Sequence, residues 1–259
     1  MMGPAPRTIR PVSATRALTY VGHSTVLLEI GGVRLLTDPL LRGRVAHLRR
    51  DAPAPAAEVR EQIDAVLISH LHYDHLDLTS LRLVRSPRVL APRGAGGLLR
   101  RARIGGVEEM EVGDALEVGG VRVEAVAADH DGSRRPGGPH ADPLGFVLER
   151  SERIYFAGDT GLFEGMSGLA PVDVALLPVA GWGPKLGPGH MNAAEAAQAA
   201  ALIRPRLAVP IHWGTFRPRT ARRGSWFYDP PRTFAAGVGE LAPEVDVRVL
   251  EPGSALSLA

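Results

Sequence analysis

The decapeptide ISHLHYDHLD, Ile68–Asp77, restricts this chain more than any other segment. It overlaps a short apolar run, AVLIS (Ala65–Ser69), of the kind that forms a strand covered on both faces. It then places His70, His72, Asp74 and His75 within six residues. A lone histidine at a strand end is ordinarily a satisfied polar group. Four ligand-type side chains in H-x-H-x-D-H spacing, released from the end of a buried strand, point instead to a loop that turns them toward one metal site. His70 and His72 are two apart, so in extended chain they face the same way. Neutral imidazole and carboxylate are the ligands zinc accepts when thiolate is missing, and this chain has no cysteine. The same absence excludes disulfides and thiolate catalysis.

One motif cannot complete a coordination sphere. The fold must bring further ligands from other strand ends, and three candidates stand where an apolar run meets a glycine or a loop. VAADH ends in His130, YFAGDTG carries Asp159, and AVPIHWG carries His212.

The rest of the chain is written in short apolar runs. TVLLEI (Thr25–Ile30) and VRLLTD (Val33–Asp38) flank Gly31-Gly32, a tight-hairpin signal. ALEVGGVRVEAVAAD repeats the pattern around Gly119-Gly120, so LEIGGVRLL and LEVGGVRVE mark either two similar halves or two like hairpins. Further strands are expected at Arg88–Pro92, Arg153–Gly158, Asp173–Val179 and Arg206–Ile211. The clearest helix is Asn192–Ile203, with Asn192 as N-cap, Glu195 completing a capping box and Pro205 beyond its end. A shorter one starts near Asp77 or Thr79 and ends before Pro87. This rhythm gives a layered α/β domain. Three loops, 40–57, 131–143 and 217–231, are long and rich in glycine, proline or arginine. No linker divides the chain, so one domain over residues 1–259 is expected.

The ordered set LLTDP, SHLHYDHLD, ADH, FAGDTG and PIHWGTF resembles the metallo-β-lactamase superfamily of binuclear metallohydrolases, over about Tyr20 to Leu258. YVGHSTVLLEIGGVRLLTDP, HYDHLD, HMNAAEAAQA and PIHWGTF are similar to the branch that holds N-acylphosphatidylethanolamine-hydrolysing phospholipase D and ascorbate-6-phosphate lactonase. The resemblance implies a four-layer αββα sandwich with two Zn2+ at one edge of its sheets, Mn2+ or iron being alternatives. Carried over by residue, one metal falls to His70, His72 and His130, and the other to Asp74, His75 and His212, with Asp159 between them. Asp38 supports the ligands from behind. The lactamases that use a cysteine ligand are excluded. His72 stands where the iron-binding oxidoreductase branch often has glutamate, which favours hydrolysis. The implied reaction is attack by a metal-bridging hydroxide on a phosphodiester or a lactone.

Asp74 and His190 are the candidate catalytic residues. His190, in GPGHMNAAEA, matches a position that the branch places near the pocket, where it contacts substrate or gives a proton to the leaving group; the plain reading is a residue leading into the helix. His23, Tyr73, Arg134 and Arg135 are the candidate substrate-binding residues. Arg134 and Arg135 follow His130 closely enough to meet an anion. Arg42, Arg44, Arg49 and Arg50 either clamp an anionic substrate or form a solvated loop. His47 and His140 read as solvated.

The expected partner is a small anionic molecule. Lys185 is the only lysine, aromatics are 5% and the formal charge is +2, so the arginines do not make a nucleic-acid footprint. No apolar run reaches the ~18 residues of a membrane span, no strong amphipathic membrane helix is visible, and the N-terminus does not read as a secretion signal. The chain is expected in the cytoplasm, with self-association into a homo-oligomer left open. A lactonase is the first alternative to a phosphodiesterase. A catalytically silent metal-binding domain is the alternative of another class, and the intact ligand set argues against it.

Overall fold

Apolar runs separated by glycine turns account for most of the strands. The computed structural model describes residues 16–258. The first half of the chain runs β1 (Ala17–Gly22), β2 (Thr25–Ile30), β3 (Val33–Thr37), β4 (Arg44–Val45), β5 (Leu48–Arg50), β6 (Ala65–Leu67), α1 (Leu78–Val84), β7 (Val89–Pro92), α2 (Gly96–Arg101) and β8 (Val107–Met110). The second half runs β9 (Ala115–Val118), β10 (Val121–Ala127), β11 (Leu144–Glu149), β12 (Arg153–Phe156), β13 (Val174–Pro178), α3 (Ala193–Ile203), β14 (Leu207–Ile211), β15 (Phe216–Pro218), α4 (Ser225–Tyr228), α5 (Pro230–Leu241), β16 (Asp246–Val247) and β17 (Ser254–Ser257).

Two seven-stranded sheets result, in the orders β17-β1-β2-β3-β6-β7-β8 and β16-β14-β13-β12-β11-β10-β9. In the first, β17, β1, β2 and β3 are antiparallel neighbours and β3, β6, β7 and β8 parallel ones. The second repeats that plan, antiparallel from β9 to β12 and parallel from β12 to β16. Both glycine pairs turn hairpins, Ile30 pairing with Val33 and Val118 with Val121. They do not occupy matching places: β2 and β3 are the third and fourth strands of their sheet counted from β17, whereas β9 and β10 are the first and second of theirs counted from β9. The likeness of LEIGGVRLL and LEVGGVRVE is therefore that of two hairpins under the same turn constraint, while the two sheets share a pairing plan.

Period-two burial makes the layers. Leu18, Tyr20, Val26, Leu28, Ile30, Leu35 and Leu67 face the second sheet, in one cluster with Val123, Phe146, Leu148 and Tyr155. Their neighbours Val21, Leu27, Leu36, Val66 and Ile68 face outward and meet Leu81 and Val84 of α1 and Leu99 of α2. Strands buried on both faces read as continuous apolar runs, as these do. On the other side α3 packs on β13 and α5. It is so rich in alanine that a Cβ on Gly237 of α5 would stand 2.9 Å from Ala197 Cβ. The product is the four-layer α/β sandwich.

Local signals placed two helices well. Asn192 accepts from the backbone of Ala194 and Glu195, and Glu195 returns a bond to Asn192 N. Asp77 caps α1 through Ser80 N. The long loops are less bare than the sequence suggests. Residues 40–57 contain the β4–β5 hairpin, which pairs with β15 in a third small sheet. Among the described residues no helix is long and apolar enough to cross a membrane.

Candidate metal centre

Ligand-type side chains gather where strands of both sheets end. The segment after β6 supplies His70, His72, Asp74 and His75, and the segments after β10, β12 and β14 supply His130, Asp159 and His212. Gly158, at φ +63°, lets the Asp159 turn lie against that segment: a Cβ there would stand 2.6 Å from Ser69 Cβ. His23, Asp38 and His212 are non-glycine residues at φ +60°, +33° and +62°. Such backbone costs about 1–3 kcal/mol each and persists where surrounding contacts over-determine it. Here His212 N donates to His23 O and Asp38 N to Leu67 O.

Within single groups whose ligand atoms all lie within 4.8 Å of one another stand His70, His72 and His130; His23, Asp74, His75 and His212; and His130, Asp159 and His190. Asp159 Oδ2 lies 3.1 Å from His75 Nε2, 3.3 Å from His212 Nε2 and 3.5 Å from His190 Nε2. It thereby meets His75 and His212 of one expected set and shares a group with His130 of the other. Asp38 is fully buried behind them.

The hydrogen bonds assign the tautomers. His75 Nδ1 donates to Asp38 Oδ2 at 2.8 Å. Ser69 Oγ donates to the same oxygen at 2.5 Å, so it accepts from His70 Nδ1 at 2.9 Å. His130 Nδ1 donates to Gly189 O at 2.7 Å, and His212 Nδ1 to Ala180 O at 2.9 Å. His190 Nδ1 faces the carbonyls of Gly187 and Pro188. Five imidazoles thus use Nδ1–H on fixed acceptors and turn Nε2 inward, the arrangement in which outer partners orient metal-binding histidines. His72 turns Nδ1 instead, 2.9 Å from His70 Nε2 and 3.1 Å from His130 Nε2.

Protonation states agree with the fit. Burial lowers the imidazoles of His70 and His72, and takes His23 and His130 down to about 4. Burial works to raise the Asp74 and Asp159 carboxyls, but the surrounding histidines outweigh it and hold both well below the usual range. His75 is the exception. Burial opposes its charge, yet Asp159 and Asp74 hold it protonated well above the ordinary imidazole range. A cation among those carboxylates would take over the work of that proton. Among the described residues, the buried atoms His75 Nε2, His212 Nε2 and Asp159 Oδ1 have no hydrogen-bond partner. Neutral nitrogens, ionised carboxylates and orphaned buried polar atoms fit a divalent transition metal.

His23 is more deeply engaged than a substrate contact. It is 2% exposed, its Nε2 donates to Asp74 Oδ2 at 2.9 Å, and its ring lies 3.8 Å from that of His212. Its only signal in the sequence is a histidine between a strand end and Ser24. His190 keeps 21% of its side chain exposed, with its ring 4.6 Å from that of His130. It faces both the cluster and solvent.

The arginines expected to meet an anion are mostly engaged inside the fold. Arg134 is 8% exposed and donates from Nη1 to Leu71 O at 2.7 Å and Leu76 O at 3.2 Å, which removes it as an anion contact. The Tyr73 ring, 44% exposed, covers its guanidinium at 4.2 Å. Arg42 makes a two-point pair with Asp77 at 2.9 and 2.7 Å. Arg49 pairs with Asp51, and Arg50 donates to the carbonyls of Val21 and Pro53. Arg135 is exposed and Arg44 likewise. His47 is exposed, with its ring edge-on to Trp182 at 4.7 Å, and His140 is exposed in a bridge with Ser133.

Residues 33–213 match the family described as the Beta-lactamase superfamily domain, a span holding every cluster residue except His23. The chain is similar to the UPF0173 metal-dependent hydrolase of Methanopyrus kandleri, 33% identical over 252 residues, which covers 91% of this chain and 97% of that protein. It is also similar to N-acyl-phosphatidylethanolamine-hydrolyzing phospholipase D 1 of Caenorhabditis elegans, 30% identical over 243 residues, covering 83% of this chain and 67% of that one. The solved structure of Igni18, a metallo hydrolase from Ignicoccus hospitalis, superposes with a TM-score of 0.72 at 27% identity, over 95% of this chain and 99% of that one.

Proposed function

The chain belongs to the metallo-β-lactamase superfamily, and on that footing we propose that it is a hydrolase dependent on two metal ions, zinc in the first place, that cleaves a phosphodiester in a small anionic substrate. The observation that carries the reading is the inward turn of Nε2 on His70, His75, His130 and His212, each imposed by an Nδ1–H bond, around a shared Asp159. His70, His72 and His130 would hold one ion, and Asp74, His75 and His212 the other.

Bound metal would supply a water acidified toward neutral pH and a positive charge for the substrate oxygen. The chain's own residues do the rest. Asp38 and Ser69 keep two imidazoles in the ligating tautomer. His23 holds Asp74 by its Oδ2 and so fixes the direction of the remaining carboxylate oxygen. His190 keeps its Nδ1–H on backbone carbonyls, so the proton it gains or gives is the one at Nε2, and that atom faces the cluster. It is placed to protonate a departing alkoxide, a step open to an imidazolium at the edge of water.

The phosphodiester is supported by the similarity, over most of this chain, to a relative named as a phospholipase D. With Arg42, Arg50 and Arg134 engaged with the fold and Arg49 paired with Asp51 at the surface, recognition of a diester's negative charge falls to the metals and to the exposed Arg44 and Arg135.

Elemental analysis after purification with metal in excess, followed by bis-p-nitrophenyl phosphate, simple lactones and nitrocefin, tests this. Two ions per chain and diester turnover are expected. Less than about one transition metal per chain would overturn the binuclear reading. Lactone turnover alone would transfer the site to a cyclic ester, and a metal-loaded chain inert to all three would be read as a binding domain.

A further inference from the structure

The segment that carries four of the proposed ligands, His70 to His75, has few backbone hydrogen bonds of its own: His75 N and Leu76 N both return to His72 O. The carbonyls of Leu71 and Leu76 lie on either side of His72, Asp74 and His75. One nitrogen, Arg134 Nη1, donates to both, at 2.7 and 3.2 Å. Its two hydrogens suffice for one carbonyl each. Arg134 is itself fixed by a turn, since its backbone N donates to Pro139 O and Ser133 pairs with His140. That turn begins four residues after His130. Tyr73, from the middle of the ligand segment, lays its ring over the guanidinium at 4.2 Å and covers it. The side chain is 8% exposed, so water does not replace these contacts.

The geometry points to Arg134 as the positioning residue of the metal site: it fastens the His70–His75 segment to the turn that follows His130, and so holds the three ligands of one ion in register. It touches neither ion nor substrate. Its effect passes through Leu71 and Leu76 to the directions of His72 Nδ1 and of Asp74 and His75. The inference rests on the metal-hydrolase reading above.

The test measures metal affinity by competition with a chromophoric chelator, with zinc as the probe, and melting of the zinc-free chain, in the parent, Arg134→Met, Arg134→Lys and Tyr73→Leu. Loss of an outer partner of this kind lowers metal affinity about 10–100-fold. That loss is expected for Arg134→Met. Arg134→Lys should recover part of it, because an ammonium can still donate to a carbonyl although it lacks the planar fork and its stacking under Tyr73. Tyr73→Leu, altered at an exposed ring, should show a smaller loss in the same direction. Zinc affinity unchanged in Arg134→Met, with only the melting point lowered, overturns the inference. If Arg134→Met does not fold, an affinity unchanged in Tyr73→Leu overturns it equally. A parent chain that takes up no zinc refutes the metal reading itself, and does so before any variant is compared.

Discussion

Asp38 Oδ2 stands 2.8 Å from His75 Nδ1, with both side chains fully buried, and the same oxygen takes the Ser69 hydroxyl that in turn holds His70. One carboxylate therefore sets the tautomers of two imidazoles, one in each proposed ligand set. Asp38→Ala should weaken zinc binding about 10–100-fold. It should also leave His75 Nδ1–H and Ser69 N without partners, at about 1–3 kcal/mol for each buried group. Chelator competition and urea unfolding of the zinc-free chain read the two effects separately. Unchanged affinity would remove Asp38 from the support of the site.

The gathering of these ligand-type side chains was legible in the sequence because each stands in a local pattern. His70, His72, Asp74 and His75 fall within six residues, and His130, Asp159 and His212 each close an apolar run. What could not be read there is decided by distant partners. Arg42 meets Asp77, 35 positions away, and Arg134 meets Leu71, 63 positions away. A loop rich in arginine looks the same in sequence whether its side chains face an anion or their own backbone. Two helices were hidden for a local reason. α2 opens on Gly96-Gly97 with no side-chain cap, and α5 opens on Pro230-Pro231 inside what reads as a loop. His23 was visible only as a histidine after a strand, because the contact with Asp74 that gives it meaning spans 51 positions.

The proposed function gives His190 a chemical role, and its ring is partly exposed with Nε2 facing Asp159 at 3.5 Å. His190→Gln keeps a donor of similar reach but cannot cycle a proton. It should lower turnover by about 10²-fold or more while zinc stoichiometry stays at the parent value. It should also flatten the pH dependence of kcat. Turnover unchanged across pH would make His190 a residue of the helix approach and nothing more.

Asp51 ties the small sheet to the loop after β15 by accepting from Arg49, Arg217 and Arg223. Burial works to raise its carboxyl, but the three guanidiniums outweigh that and bring it down to about 2 from 3.8. The unfolded chain then binds the proton more readily than the folded one, so the cluster stabilises fully above about pH 4, and its contribution is lost as pH falls toward about 2. A sealed cluster with this shift would contribute about 2 kcal/mol. Arg49 and Arg223 are 47% and 48% exposed, and screening by water reduces this to about 1 kcal/mol. Asp51→Ala should lower stability by that amount at pH 7 and by much less near pH 2, where the folded carboxyl is half protonated. Urea unfolding of both chains at the two pH values measures it, and an equal difference at both would refute the ionic account.

Tyr155 offers a test in the opposite direction. Its ring is fully buried in β12, yet among the described residues its hydroxyl has no hydrogen-bond partner, and burial pushes its pKa well above the ordinary phenol value. A buried hydroxyl without a partner carries a desolvation penalty of about 1–3 kcal/mol, while the ring contributes the packing. Tyr155→Phe keeps the ring and removes the penalty. Its only structural cost is the small void left by one oxygen, at about 24 cal/mol per Å3. The variant should therefore unfold at equal or higher urea concentration than the parent, with the m-value unchanged. Its zinc affinity should be unaltered, since Tyr155 touches none of the ligands. A loss of stability greater than about 1 kcal/mol would mean that the hydroxyl has a partner, such as a buried water, whose bond outweighs the void.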